Sequence, residues 1–418
     1  MADDGLTTAS EACAYQPGRR PLALAIALLG LSTLPGWTGA IPVFAPRLQL
    51  EFGLSDRQLG TLLSCMSLGG LIAFPFILSG VHTLGTRKVV QTGLAGVGVA
   101  FLFCGLTRGV IPLEVGLVAA GVFGTALLVT TLSLLVGLFP EWKRRMLALT
   151  LAVFPLPSIV FPPVAQHLLS VAERGGYGGF RAVFYAPFLV LGAVLIVGGI
   201  ALSASSVRAV QIGLGDKRPV QWRRVLSWST VLIVTLAALH GGPDNTLSAW
   251  LPRFMTGRFA ELPIAPGNVM ALYALAYVVA RLLQATLGEG VGQRLFLTAV
   301  GPVGGALMLT AIWRGDAMDV ALLYPMAGFI WCLEYPTLLS EVETISAEEF
   351  STIMAVGNLT QIVVSFGLLN LVGWLADTTK SLQVAVSVPV FGFIAFGLLA
   401  AATGLGKRRN PQGTEAKE

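Results

Sequence analysis

The chain has 418 residues, of which 55% are hydrophobic and only 12% charged, against roughly 25% charged in a soluble domain. Its mean hydropathy is +0.77, and single soluble cores stop growing near roughly 250–300 residues. A soluble globular class is therefore excluded, and lipid is the expected solvent for most of the chain.

In chain order, residues 1–21 form a polar tail expected to stay on the protein, because the apolar run that follows is long enough to span a membrane. An apolar run of about 20 residues crosses the hydrocarbon core. Twelve such runs are read at 22–46, 58–81, 88–107, 113–139, 146–170, 182–204, 226–250, 267–288, 295–313, 320–340, 351–375 and 382–405. One connection is long, polar, basic and punctuated by Gly and Pro: "SSVRAVQIGLGDKRPVQWRR", 205–224. It reads as a linker at mid-chain. The expectation is an all-α integral membrane protein of twelve transmembrane helices in two pseudo-symmetric six-helix bundles. The N-terminal bundle covers 22–204, a linker 205–225, the C-terminal bundle 226–405 and a tail 406–418.

With twelve spans, both termini and every second loop share one side. That side collects 17 of the 27 lysines and arginines and the opposite side 9, with Arg281 inside a span. The richer side is expected to be cytoplasmic, with insertion in the plasma (inner) membrane. The net charge of +5 is thereby a topology signal and calls for no nucleic-acid partner. Cys13, Cys65, Cys104 and Cys332 are far apart in sequence, so free thiols are expected and no metal site.

Two loops repeat a pattern. "LSGVHTLGTRKVV" (78–90) leaves an apolar run with His82, Gly85 and Arg87, and "ATLGEGVGQRLFL" (285–297) does so with Glu289, Gly292 and Arg294. The two glycines are 207 positions apart, nearly half the chain, and both fall on the expected cytoplasmic side, so the halves read as parallel repeats. The arrangement resembles the major facilitator superfamily, whose corresponding loop runs Gly-x-Leu-x-Asp-Arg-x-Gly-Arg-Arg. The second copy keeps Leu287, an acid at Glu289, Gly292 and Arg294, while the first places His82 at the acid position.

The resemblance implies that these six residues, His82, Gly85, Arg87, Glu289, Gly292 and Arg294, belong to a cytoplasmic gate. There the acid meets a helix N-terminus of the other half. His82 would face the acids Glu341, Glu343, Glu348 and Glu349, and Glu289 the bases Lys143, Arg144 and Arg145. His82 reads either as a pH-sensitive gate residue or as an ordinary loop histidine. "GGFRAVF" (178–184) and "WLPRFM" (250–255) also resemble family segments, and 328–340 with 357–377 resemble fucose-permease-like sugar/proton symporters. The stretch from Leu138 to Arg174 contains no glycine, unlike the glycine-rich fifth helix of drug/proton antiporters.

Ionisable groups inside spans cost roughly 2.5–3.5 kcal/mol each and so need a reason. The candidates are His240 and Asp244 in the seventh run, Arg281 in the eighth, Glu334 in the tenth and His167 near the end of the fifth. His240 and Asp244, four apart, share a helix face. Gly241, Gly242 and Pro243 between them predict a broken helix lining a cavity, with Asn245 adding an amide suited to hydroxyls; the alternative is a helix end near the outer surface. Arg281 and Glu334 lie at matching depths and are expected to pair. Trp37 stacks on a solute or packs, and Asn358 and Gln361 share a face of the eleventh helix.

The expected function is a secondary active transporter moving a small, sugar-like polar solute by alternating access, as a proton symporter. Trp37, His240, Asp244, Asn245, Arg281, Asn358 and Gln361 would bind solute, and Glu334 and Asp244 would couple protons. Alternatives are an organic-anion carrier, with Arg281 on the carboxylate, or a receptor that binds without transport. The expected partners are the solute, protons and the lipid bilayer. A monomer without cofactor or enzymatic activity is expected, since no phosphate-binding loop motif is present.

Overall fold

The computed structural model describes residues 20–84, 86–138, 155–204, 227–287, 293–335, 337–338 and 350–404. All regular structure among them is helical: α1 Arg20–Phe52, α2 Asp56–Leu84, α3 Thr86–Leu106, α4 Val110–Leu138, α5 Leu156–Glu173, α6 Phe180–Ala204, α7 Trp228–Arg258, α8 Pro266–Leu287, α9 Gln293–Thr298, α10 Val300–Arg314, α11 Ala317–Trp331, α12 Phe350–Thr379 and α13 Leu382–Thr403. Seven of these are long and apolar enough to cross a membrane. Their outward faces are apolar too: Leu106 is 74% and Ile111 73% exposed, as expected of side chains solvated by lipid.

Most expected spans correspond to single helices, with two differences. The ninth is two helices, α9 and α10, separated by Ala299. Pro302 explains the break, because it has no N–H to offer the Thr298 carbonyl one turn back. The tenth run, expected at 320–340, is α11 to Trp331, then a turn at 332–333, then helical residues at Glu334 and Tyr335. The fifth run is described only from Pro155 onward. The expected N-terminal tail (apart from its last two residues), the linker and the C-terminal tail all lie outside the described residues.

The N-terminal helices pack on one another through an aromatic core. Trp37 is 1% exposed, with Phe44, Phe161 and Phe188 at centroid distances of 5.9, 6.3 and 5.7 Å. Phe184 lies 5.2 Å from Phe44. Between the halves, α2 packs on α12 and α5 on α8. These are equivalent pairings if the second and fifth spans exchange with the eighth and eleventh.

Glycines set how closely the halves approach. A Cβ on Gly60 would stand 2.7 Å from the Leu369 carbonyl oxygen, and one on Gly373 would stand 2.5 Å from that of Asp56. Backbone therefore meets backbone across the α2–α12 contact, near the end of the molecule that carries Gly53.

Candidate functional site

The expected helix break at Gly241, Gly242 and Pro243 does not occur: α7 runs unbroken from Trp228 to Arg258. The glycines serve packing instead. A Cβ on Gly241 would collide with the Gln361 side chain and one on Gly242 with Val364, so α12 lies directly against α7. Gly392 of α13 gives Pro243 the same room. Membrane helices tolerate Gly and Pro where neighbouring helices press in this way.

The break falls in the neighbouring element, just before Glu334. Proline at 336 offers no N–H to the Cys332 carbonyl, and the chain turns at Cys332–Leu333. Leu333 N–H then reaches back only three residues, to the Ile330 carbonyl, at 3.3 Å. The Leu333 carbonyl is recovered by side chains, accepting from Gln284 Nε2 at 3.0 Å and from the Thr337 hydroxyl at 2.9 Å. Irregular backbone is tolerated at membrane depth only where protein supplies such partners.

Three α7 residues spaced four apart carry a ladder of polar contacts toward α8, α11 and the segment that follows α11. At the first rung, His240 Nδ1 lies 2.8 Å from Glu334 Oε1. His240 is 5% exposed and Glu334 is wholly buried. At the second, the Tyr273 hydroxyl donates to Asp244 Oδ1 and accepts from Trp331 Nε1 at 2.9 Å. At the third, the Ser248 and Tyr324 hydroxyls are 2.9 Å apart.

Rings join the rungs: Trp331 stacks on Phe393 at 3.9 Å, Phe393 and His240 meet in a T-shape at 6.3 Å, and Tyr335 stacks on His240 at 5.2 Å. Gly301 of α10 makes the space for Glu334, since a Cβ there would stand 3.1 Å from Oε2.

The expected Arg281–Glu334 pair is not formed. Glu334 takes His240 as its partner, and the Arg281 guanidinium lies over the Tyr277 ring at 5.4 Å, with Nε buried and without a hydrogen bond. Equal depth fixed only one coordinate of that pairing. The direction in which each side chain leaves its helix fixed the other, and it carries Arg281 along the α8 stripe Tyr273–Tyr277–Arg281, spaced four apart. Arg281 still acts electrostatically on His240, Asp244 and Tyr335. Glu334 Oε2 is likewise buried without a hydrogen bond.

The remaining expected residues are dispersed. Asn245 is exposed and donates to Ser365 Oγ at 3.3 Å, Gln361 packs over Gly241, and Asn358 is exposed further along α12. Trp37 is enclosed by aromatic rings, so it is a core residue with no face free to stack on a solute. Of the gate residues, Gly85, Glu289 and Gly292 lie outside the described residues, as do the acidic segment 341–349 and the basic residues 143–145. His82 falls in the last turn of α2, Arg87 in the first turn of α3, and Arg294 is exposed in α9. Cys65, Cys104 and Cys332 are free and buried, and Cys13 is outside the described residues.

Contacts that sequence reasoning missed lie at the Gly53 end. The backbone N–H groups of Asp56 and Arg57 donate to the Asp377 carboxylate at 3.2 and 3.0 Å. Asp56 Oδ1 accepts from Gln49 Nε2 at 2.7 Å and from Arg253 Nε at 3.2 Å. Deeper in, Asn370 Nδ2 donates to Ser64 Oγ at 2.9 Å. A signal was available, because Asp377 stands in the last turn of its own helix, the wrong end for a carboxylate. A cavity of about 810 Å³ at this end is lined by Arg47, Gln166, Arg253 and Thr256, among others.

Comparisons with known proteins agree with this architecture. Two solved structures of a bacterial homologue of the human lysosomal transporter Spinster are similar in fold. The first, inward-facing and unoccupied, gives a TM-score of 0.76 at 14% identity over 93% of this chain and 98% of that one. The second, inward-facing and occupied, gives 0.72 at 13% identity over the same shares. No curated protein matches in sequence. The sequence profile of the Major Facilitator Superfamily matches residues 26–366, and with the helical architecture and the fold likeness this places the chain in that superfamily of membrane transporters.

Proposed function

We propose that the chain is a proton-coupled symporter for a small neutral polar solute, working by alternating access of twelve spans. In this reading the Gly53 end is the outer face and both termini are cytoplasmic, by the positive-inside rule. The observation that carries it is the buried pair of His240 and Glu334, near enough to Asp244 and Arg281 for their charges to interact. Two carboxylates stand there against one arginine. With His240 neutral, the cluster is one positive charge short, and a single bound proton makes it neutral. Uncompensated charge in an apolar interior is costly, so a state carrying a proton and an uncharged solute is the one best suited to cross. The helix discontinuity beside Glu334 adds mobility where the proton would be exchanged.

A second reading is an organic anion held by Arg281. It is favoured by the buried Arg281 Nε, which has no hydrogen-bond partner. By the same charge count, an anion requires two protons rather than one.

The experiment is uptake into proteoliposomes of a panel of labelled sugars, polyols and carboxylates, with and without an inward proton gradient. Gradient-driven accumulation of an uncharged member supports the symporter, and accumulation confined to carboxylates supports the second reading. Binding without flux for every member would make the protein a receptor.

A further inference from the structure

The N-terminus of α2 is fully accounted for in hydrogen bonds, and half of the account comes from the other end of the chain. The sequence Ser55-Asp56-Arg57-Gln58 is a capping box. Gln58 N–H donates to Ser55 Oγ at 3.3 Å, and Ser55 N–H donates to Gln58 Oε1 at 2.9 Å. Leu59 N–H then begins the helical pattern on the Ser55 carbonyl at 2.9 Å. Two free donors remain, the N–H groups of Asp56 and Arg57, and both point at the carboxylate of Asp377.

Asp377 is poorly placed for its own helix, whose C-terminal end repels negative charge, and well placed for α2, whose N-terminal end attracts it. The carboxylate thus gains most when the two halves touch at this end.

We propose that Asp377 is a positioning residue for alternating access: its carboxylate latches α12 to the N-terminus of α2 and holds the outer side closed. Gly60 and Gly373 supply the close approach that brings the carboxylate within reach, and the Asp56–Arg253 pair adds a second link between the halves. When the outer side opens, the Asp56 and Arg57 N–H groups and the carboxylate turn to water at the surface. The latch is therefore reversible, unlike a buried pair. This inference rests on the alternating-access reading but not on the identity of the solute.

The test uses the full-length chain in lipid nanodiscs, with spin labels at Arg108→Cys and Glu261→Cys. Both positions are exposed at the Gly53 end, one in each half. Cys13 is changed to Ser throughout, and the other cysteines are buried. The electron–electron distance distribution is compared between Asp377 and Asp377→Ala. Loss of charge-assisted bonds should raise the ratio of the longer-distance population to the shorter one by about tenfold.

An unchanged distribution, even with lowered thermal stability, overturns the latch and leaves Asp377 a local cap. Should the alanine variant fail to fold, Asp377→Asn carries the same comparison. A shift in distance without flux of any solute would retain the latch and reject the transporter reading. Flux in the wild type with no shift would do the reverse.

Discussion

The imidazole of His240 and the carboxylate of Glu334 meet at 2.8 Å in the interior of the C-terminal half, joining the middle of α7 to the broken segment that follows α11. Both side chains are buried, and a hydrogen bond is electrostatically stronger in such an interior than in water. Arg281, on α8, lies over the Tyr277 ring instead of pairing with Glu334.

A double-mutant cycle should separate the two pairings. Coupling between His240→Ala and Glu334→Gln should be about 1.5–3 kcal/mol, the range for a hydrogen bond to a charged group. Coupling between Arg281→Gln and Glu334→Gln should be smaller by at least about 1 kcal/mol. Denaturant unfolding in detergent measures both. Equal coupling in the two cycles would restore the arginine as the partner.

Gly241→Ala should destabilise by about 1–3 kcal/mol, because the added methyl meets Gln361 across the α7–α12 contact. The same change combined with Gln361→Ala should recover most of that loss. Thermal unfolding of the three variants decides whether the glycine serves packing or flexibility, since a hinge would gain nothing from shortening Gln361.

Trp37→Ala should cost about 3–5 kcal/mol, the range for deleting a large buried aromatic. It should leave the ranking of transported solutes unchanged. A changed ranking at retained stability would place the indole in contact with solute after all.

Arg281→Gln distinguishes the two solute readings. For a neutral solute, KM should change less than about threefold, while the protons needed to neutralise the cluster rise from one to two. For a carboxylate, loss of a charge-assisted contact should raise KM by about tenfold or more. Initial uptake rates over a range of solute concentrations give the answer.

Much of the architecture was legible because the bilayer imposes a length on every span and excludes charge from it. His240, Asp244, Arg281 and Glu334 stood out for that reason, as rare ionisable residues in apolar runs. Their partners were not legible, since pairing depends on the azimuth of each helix as well as its depth. The break was assigned to Gly241-Gly242-Pro243 by residue type. It belongs to 332–333, where Pro336 removes a donor.

The α8 stripe Tyr273–Tyr277–Arg281 was visible in the i, i+4 spacing and went unused, as did the capping box at Ser55 and the misplaced acid at Asp377. Where two helices approach through glycines, as at Gly60 and Gly373, the contact is set by the missing side chains, which carry no signal of which neighbour fills the space.

The most direct test of Glu334 as the coupling group compares two modes of transport in one variant. Proteoliposomes containing Glu334→Gln are assayed for solute counterflow, which needs no net proton movement, and for accumulation driven by an inward proton gradient. The predicted result is counterflow near the wild-type rate with accumulation abolished. Accumulation that persists in Glu334→Gln at the wild-type level would contradict it and move the coupling proton away from the His240–Glu334 pair.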